Sequence, residues 1–519
     1  MAQSPRKEVS IDRTLSRAYW TWRDNPALSV PTMLSTSLTV LVEAIFGIAI
    51  LGVVVLLEKT EWIREVAQAV ASLDFTSLGS LLASPQFVWT ASAFLVPATI
   101  VAVVVTVLAS GYVYSAEFGS YWMALQGSHV GIAEVMKKFK ERWRSMAWTY
   151  VVSSFVTVAP LIAASLVSVA VALLGSGLIA GLIVIASLAA GTACTLVLSA
   201  LLIFSPVVVM ADGISGSAAV RRSISVSRQM FGSSVIYGLV YVVFTSAVTY
   251  MASAVPGGSL PLSSLASVCV LIIVTPVLHL TKTYMYRQFW LTEPPPVEFR
   301  PSFTADLWPL LRSLWGSFRK GLGELKAFAL DTRNLPYHLT SALAIVIGWV
   351  VGIFVEQNGI TQILYSVGYT PGKINPLVTE SLPLSLGIYI FFHNWQVSLA
   401  TALSGVWFSV APFVTLFLNG VLIGAVTGLA PNTTMLAAAL LPHGIIEIPS
   451  FVIAGSAGIK LGVAFLRTTR NGDPALEEEF HSVARQTVYV VVGLALLFLV
   501  AGLIEGNLTP IIMRMAGWT

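Results

Sequence analysis

The chain has 519 residues, of which 56% are hydrophobic and 10% charged, and its mean hydropathy is +0.82. A soluble domain carries about 25% Asp, Glu, Lys and Arg, so soluble enzyme, disordered linker and disulfide-stapled secreted scaffold are excluded together. The formal charge of +4 is no nucleic-acid signal, because Lys and Arg in such chains mark the cytoplasmic side of a membrane. No nucleic-acid partner is expected. Cys194 and Cys269 both lie in apolar stretches and form no framework.

The chain opens on a polar, basic stretch holding Arg6, Lys7, Arg13, Arg17 and Arg23. The apolar run that follows is too long for a signal-peptide core, so no cleavable signal is expected. Crossing a bilayer takes roughly 20 apolar residues. On that measure the sequence predicts spans at 28–57, 87–125, 147–174, 178–210, 233–254 and 262–279, then at 339–355, 382–403, 406–429, 435–465 and 488–503. The expected fold is an all-α polytopic membrane protein of about 11 transmembrane helices, six followed by five.

Charge placement gives the expected orientation. With the N-terminus inside, 25 of the 29 Lys and Arg fall on inside segments, leaving Lys59, Arg64, Lys373 and Arg514 outside. That asymmetry predicts an N-terminus in, C-terminus out topology in a multi-pass plasma-membrane protein. Three domains are expected: a six-span unit at 1–290, a cytoplasmic hinge at 291–338 and a five-span unit at 339–519.

Within the first unit, Glu43 sits near mid-depth of span one, where a carboxylate needs a partner or a proton. It is a secondary candidate for a proton-relay group. A stripe of Trp62, Ile63, Val66, Val70 and Leu73 predicts a short helix lying on the outer face. After Pro206 the chain runs to Asp212-Gly213, then to a helix bearing Arg221, Arg222 and Arg228. This pattern resembles the membrane domain found beside glycerophosphodiester phosphodiesterases. The phosphodiesterase catalytic domain is absent from this sequence, so the resemblance implies no activity.

The hinge opens with Pro294-Pro295-Pro296, an extended spacer. Beyond it Leu307, Leu311, Leu314, Phe318, Leu322, Leu325 and Phe328 recur at helical spacing, with Trp308 and Trp315 widening the stripe and Arg312, Arg319, Lys320 and Lys326 opposite. Such a helix is expected at the cytoplasmic interface, its basic groups on anionic lipid headgroups; packing onto the protein's own loops is the alternative.

The last five spans carry polar residues near mid-depth: His393 and Asn394, then Asn419, then His443 and Glu447. Buried polar groups are costly unless paired, so convergence on one internal site is expected. His443 and Glu447, four apart, share a helix face. Pro442 and Pro449 bracket them and predict a kinked or broken helix, a common site-builder in transporters.

The run Leu440-Leu441-Pro442-His443-Gly444-Ile445-Ile446-Glu447-Ile448-Pro449, followed by Ala454-Gly455-Ser456-Ala457-Gly458, resembles the signature of the stage II sporulation protein M (SpoIIM) family. Phe392-His393-Asn394-Trp395 and Leu418-Asn419-Gly420 resemble that family's asparagine-bearing helices, with His393 a departure where a second asparagine is frequent. The namesake anchors a complex with cell-wall-degrading enzymes during engulfment in spore formers, so the resemblance implies a membrane module that recruits proteins.

Three readings follow. The first is a non-enzymatic membrane scaffold, with the polar cluster as a bonded lock and protein partners docking on the segment 356–380 and the basic hinge. The second is a transporter or permease with its site at the same polar residues. The third is an intramembrane metallohydrolase using His393, His443 and Glu447, although no H-E-x-x-H pattern is present. No phosphate-binding loop or nucleophile elbow is present, and no catalytic residue, cofactor or metal is expected.

Overall fold

The computed structural model describes residues 11–58, 62–72, 74–175, 177–244, 270–290, 303–356, 383–407, 409–430, 432–471 and 473–518. Among these there is no strand. The helices in chain order are α1 (Ile11–Asp24), α2 (Val30–Glu58), α3 (Trp62–Ala71), α4 (Phe75–Leu82), α5 (Pro85–Leu125), α6 (Ile132–Lys138), α7 (Trp143–Leu174), α8 (Leu178–Leu201), α9 (Ser205–Ala211), α10 (Gly216–Gln229) and α11 (Phe231–Val242). After them come α12 (Thr275–Trp290), α13 (Phe303–Leu330), α14 (Leu335–Val355), α15 (Pro383–Leu403), α16 (Val410–Leu429), α17 (Thr433–Asn471), α18 (Pro474–Leu503) and α19 (Thr509–Met515).

Eight helices among the described residues are long and apolar enough to cross a membrane. Their outer faces are apolar: Phe155, Leu173, Leu178 and Ile179 each expose 70% or more of their surface. In water such faces would be unstable, whereas lipid is their natural solvent, and this is a membrane protein. The α15 helix, 21 residues long, matches the span expected at 382–403 but is not among the eight. The spans expected at 233–254 and 262–279 lie partly outside the described residues, as do the triple proline and most of the outer segment 356–380.

The chain forms two compact units that do not follow chain order. The first holds the described residues within 11–32, 107–244 and 270–290. Its core centres on Phe118, Tyr121, Phe139, Phe204 and Tyr286, all fully buried. The acidic turn after Pro206 is a bonded junction here. Asp212 Oδ2 accepts from the Tyr286 hydroxyl at 2.6 Å and from Arg222 Nε at 3.2 Å, and Gly213 takes the left-handed conformation (φ 74°) that turns the chain into α10.

The second unit holds the described residues within 33–106 and 303–518. Its core joins Leu325 of α13, Ile345 of α14, Leu416 of α16, Phe451 of α17 and Phe498 of α18. Between apolar helices in lipid, close backbone approach replaces the hydrophobic effect as the source of attraction. Gly348 and Gly352 of α14 face Gly420 and Gly424 of α16 so closely that a Cβ on any of the four would overlap a carbonyl of the other helix. Trp395 Nε1 on α15 donates to Val491 O on α18 at 2.9 Å, and Trp407 Nε1 donates to Ser37 Oγ on α2 at 3.1 Å.

The hinge helix α13 is half docked. Leu325 and Phe328 enter the core, a Cβ on Gly321 would lie 2.9 Å from Gly493 N, and Lys320 lies 4.3 Å from the Tyr489 ring. Earlier on the same helix, Leu314 and Trp315 are exposed. Packing on the protein's own helices thus takes the C-terminal half of this stripe.

Candidate intramembrane polar site

The site is built where α17 passes the end of α18. His443 and Glu447 lie one turn apart on α17. The helix runs on through Pro442 and Pro449 without interruption, so the expected break is absent. Neighbouring helices hold the chain in α geometry despite two missing backbone donors. The irregularity lies elsewhere: α18 widens into a π-turn over Ile504–Leu508 before α19 begins. Such turns add a residue to the helical circuit and re-aim side chains, and they recur at functional sites.

That π-turn carries Glu505. One ligand atom each from His443, Glu447 and Glu505 falls within 4.8 Å of the other two. Thr509, the first residue of α19, places its hydroxyl 3.3 Å from His443 Nδ1. All three titratable groups are half-buried, and Glu447 Oε2 is fully buried without a hydrogen-bond partner. Two ionised carboxylates side by side in a low-dielectric interior repel strongly. A proton shared between them, or a cation held by both and by the imidazole, removes that repulsion.

The other residues expected at this site lie elsewhere. His393 is exposed on α15 and stacks on Tyr389 with ring centres 6.1 Å apart. Asn394 is half-buried on the same helix. The Asn419 amide donates to Thr415 O of its own helix at 2.8 Å. Glu43 lies on an exposed face of α2. The ligand set that meets is therefore His443, Glu447 and Glu505, without His393. Glu505 escapes sequence reasoning because the expected eleventh span stops at residue 503. The apolar residues Leu508, Ile511, Ile512 and Met513 beyond it were the signal that the helix continues.

The residues after the site do packing work. Ser456 Oγ contacts His338 Nδ1 at 2.9 Å and donates to Ser341 Oγ at 3.2 Å, tying α17 to α14. A Cβ on Gly405 would overlap the Gly458 carbonyl, and one on Gly458 would lie 2.8 Å from Thr401 O.

The family described as SpoIIM, stage II sporulation protein M, matches residues 339–510. Two uncharacterized proteins of Methanocaldococcus jannaschii are similar to this chain. MJ0793 is 27% identical over 127 residues, which is 23% of this chain and 69% of that protein. MJ0706 is 30% identical over 70 residues, 14% of this chain and 33% of that protein. No solved structure matches the chain. The signature residues, the site on α17 and the π-turn all fall inside the matched range, and the C-terminal part of this membrane protein, residues 339–510, matches the model of the SpoIIM family.

Proposed function

We propose that this protein is a non-enzymatic assembly protein of the plasma membrane, which anchors partner proteins through its SpoIIM-type module. The observation that carries the reading is the glycine seam between α14 and α16. A seam in which backbone meets backbone has one register, since a slip of one residue sets a side chain against a carbonyl. An anchor needs such a fixed surface, whereas alternating access needs helices that rock. The carboxyl pair suits the same role: with a proton or cation between them, Glu447 and Glu505 tie α17 to the end of α18. The family's namesake points to protein recruitment as well.

The test is chemical cross-linking in native membranes followed by affinity purification of the full chain. A stoichiometric partner, recovered reproducibly and lost when the seam is broken by Gly420→Val, is the expected result. Recovery of the well-folded wild type alone overturns the reading.

Transport is the second reading, and one observation favours it: the unpartnered, buried Oε2 of Glu447 suits a cation. If it holds, divalent cations raise the thermal midpoint of the wild type, and His443→Ala removes that rise while leaving the fold intact. A midpoint indifferent to protons and cations ends it.

A further inference from the structure

The first compact unit contains a second charged constellation, outside residues 339–510. Glu117 on α5 is 2% exposed. Its carboxylate engages the ring of His279 on α12, and Oε1 accepts from the Tyr121 hydroxyl at 3.2 Å. The His279 ring stacks against Tyr241 with centres 5.7 Å apart. One turn on from His279, the Lys282 ammonium lies 4.7 Å over the face of Phe118, within the electrostatic field of Glu117. Glu117 takes its short contacts from His279 and Tyr121, and Lys282 interacts with it only through space while lying on an aromatic face.

Lys282, His279 and Phe118 line a cavity of about 710 Å³. That volume lies within the range of small-molecule sites, roughly 300–1,000 Å³. Two hydroxyls on its wall, those of Ser153 and Ser205, are buried without a hydrogen-bond partner. A buried hydroxyl without a partner costs about 1–3 kcal/mol, a penalty that a ligand's oxygens would relieve. The same cavity is lined by Val158, Leu196 and Leu239, which are 43%, 64% and 61% exposed on the unit's apolar outer face. One wall is therefore cationic and rich in donors, and another is continuous with the surface that meets lipid.

We propose that this cavity binds an acyl amphiphile with an anionic head drawn from the surrounding bilayer. Its carboxylate or phosphate lies against Lys282, Ser153 and Ser205, and its hydrocarbon tail runs out along Val158, Leu196 and Leu239. Charge complementarity selects the head, because an anion pairs with Lys282 while a zwitterionic head brings its own competing cation. The Glu117–His279 pair holds α5 against α12. No chemistry is required of the site; it holds one lipid in a fixed place.

The experiment uses the full chain in nanodiscs of neutral phosphatidylcholine, titrated with the fluorescent fatty acid cis-parinarate. Saturable binding is expected, with displacement by palmitate or by phosphatidylglycerol but not by added phosphatidylcholine. The stronger competitor identifies the source of the head, carboxylate or phosphate. Loss of a charge-assisted contact predicts about tenfold weaker binding in Lys282→Met and a loss of about twofold to fivefold in Ser153→Ala. Val158→Trp, placed away from the charged wall, fills the tail channel and abolishes saturable binding with Lys282 intact. Binding that never saturates, equal competition by phosphatidylcholine, or wild-type affinity in both Lys282→Met and Val158→Trp overturns the proposal.

Discussion

Glu505 meets Glu447 across two helices, an oxygen of each lying within 4.8 Å of the other and of a ring nitrogen of His443. Both carboxyls cannot be ionised there without a cation. Replacing one by its amide keeps the shape and removes the repulsion, so Glu447→Gln retains stability within about 1 kcal/mol of the wild type. Glu447→Ala leaves Glu505 facing a hole and costs about 1–3 kcal/mol. Thermal midpoints of the purified full chain compare the two, and a Gln variant as unstable as the Ala variant contradicts the shared-occupant account.

The glycine seam predicts a sharp contrast along neighbouring helices. A Cβ on Gly424 would overlap the Trp349 carbonyl, whereas one on Gly444 would meet only Ile448 Cδ1 at 3.6 Å. Gly424→Val therefore overpacks the α14–α16 contact at a cost of about 1–3 kcal/mol or more. Gly444→Ala, inside the Pro-His-Gly run, is tolerated. Equal losses of folded protein for the two, measured by size-exclusion recovery after heating, would remove the seam from the argument.

The hinge helix is tied down by a polar chain. Lys460 Nζ donates to Gln486 Oε1 at 3.2 Å, and Gln486 Nε2 donates to Glu324 Oε2 at 3.3 Å. Gln486→Leu cuts both bonds and loosens α13 from α17 and α18. Limited proteolysis is expected to cleave within 303–330 several-fold faster in that variant, with the rest of the module unchanged. An unaltered cleavage rate would assign the docking to Leu325, Phe328 and the close approach at Gly321 instead.

Between α13 and α14, Asp331 caps a short turn by accepting from Arg333 N at 3.0 Å. Hydrogen bonds from the Arg333 side chain, then from its backbone, hold the Asp331 carboxyl below its usual value. A lowered folded-state value means the stabilisation is complete above the unfolded carboxyl's range, about 3.9, and is lost as pH falls through the folded value. Asp331→Asn keeps a capping oxygen and drops that dependence. The acid limb of the thermal midpoint is therefore shallower in the variant, and an identical limb would show that the cap does not titrate.

Much of this architecture is legible in the residues themselves. Helical periodicity and long apolar runs announce an all-helical membrane protein, and the Pro-His-Gly-x-x-Glu run announces the module. Spacing on one helix also pairs His443 with Glu447, because four residues make one turn. Contacts between helices are what sequence hides. Pro442 and Pro449 suggest a break that tertiary packing overrides, while the actual irregularity, the π-turn at Ile504–Leu508, carries no proline and lies just past an apparent helix end. Glu117 is the sole acidic residue of the long helix Pro85–Leu125, a carboxylate within a span as legible in the sequence as Glu43. Its partner His279, 162 residues away, has no local signal at all.

The most direct measurement is partner recovery from native membranes with three full-length proteins: wild type, Glu447→Gln and Glu447→Ala, each scored against its own thermal midpoint. A scaffold whose polar site is a lock predicts that the Gln variant keeps both stability and partner, while the Ala variant loses both in step. A Gln variant as stable as the wild type but stripped of its partner, or a wild type that brings none, would contradict the account and turn the site into one whose occupancy by a proton or cation is itself the function.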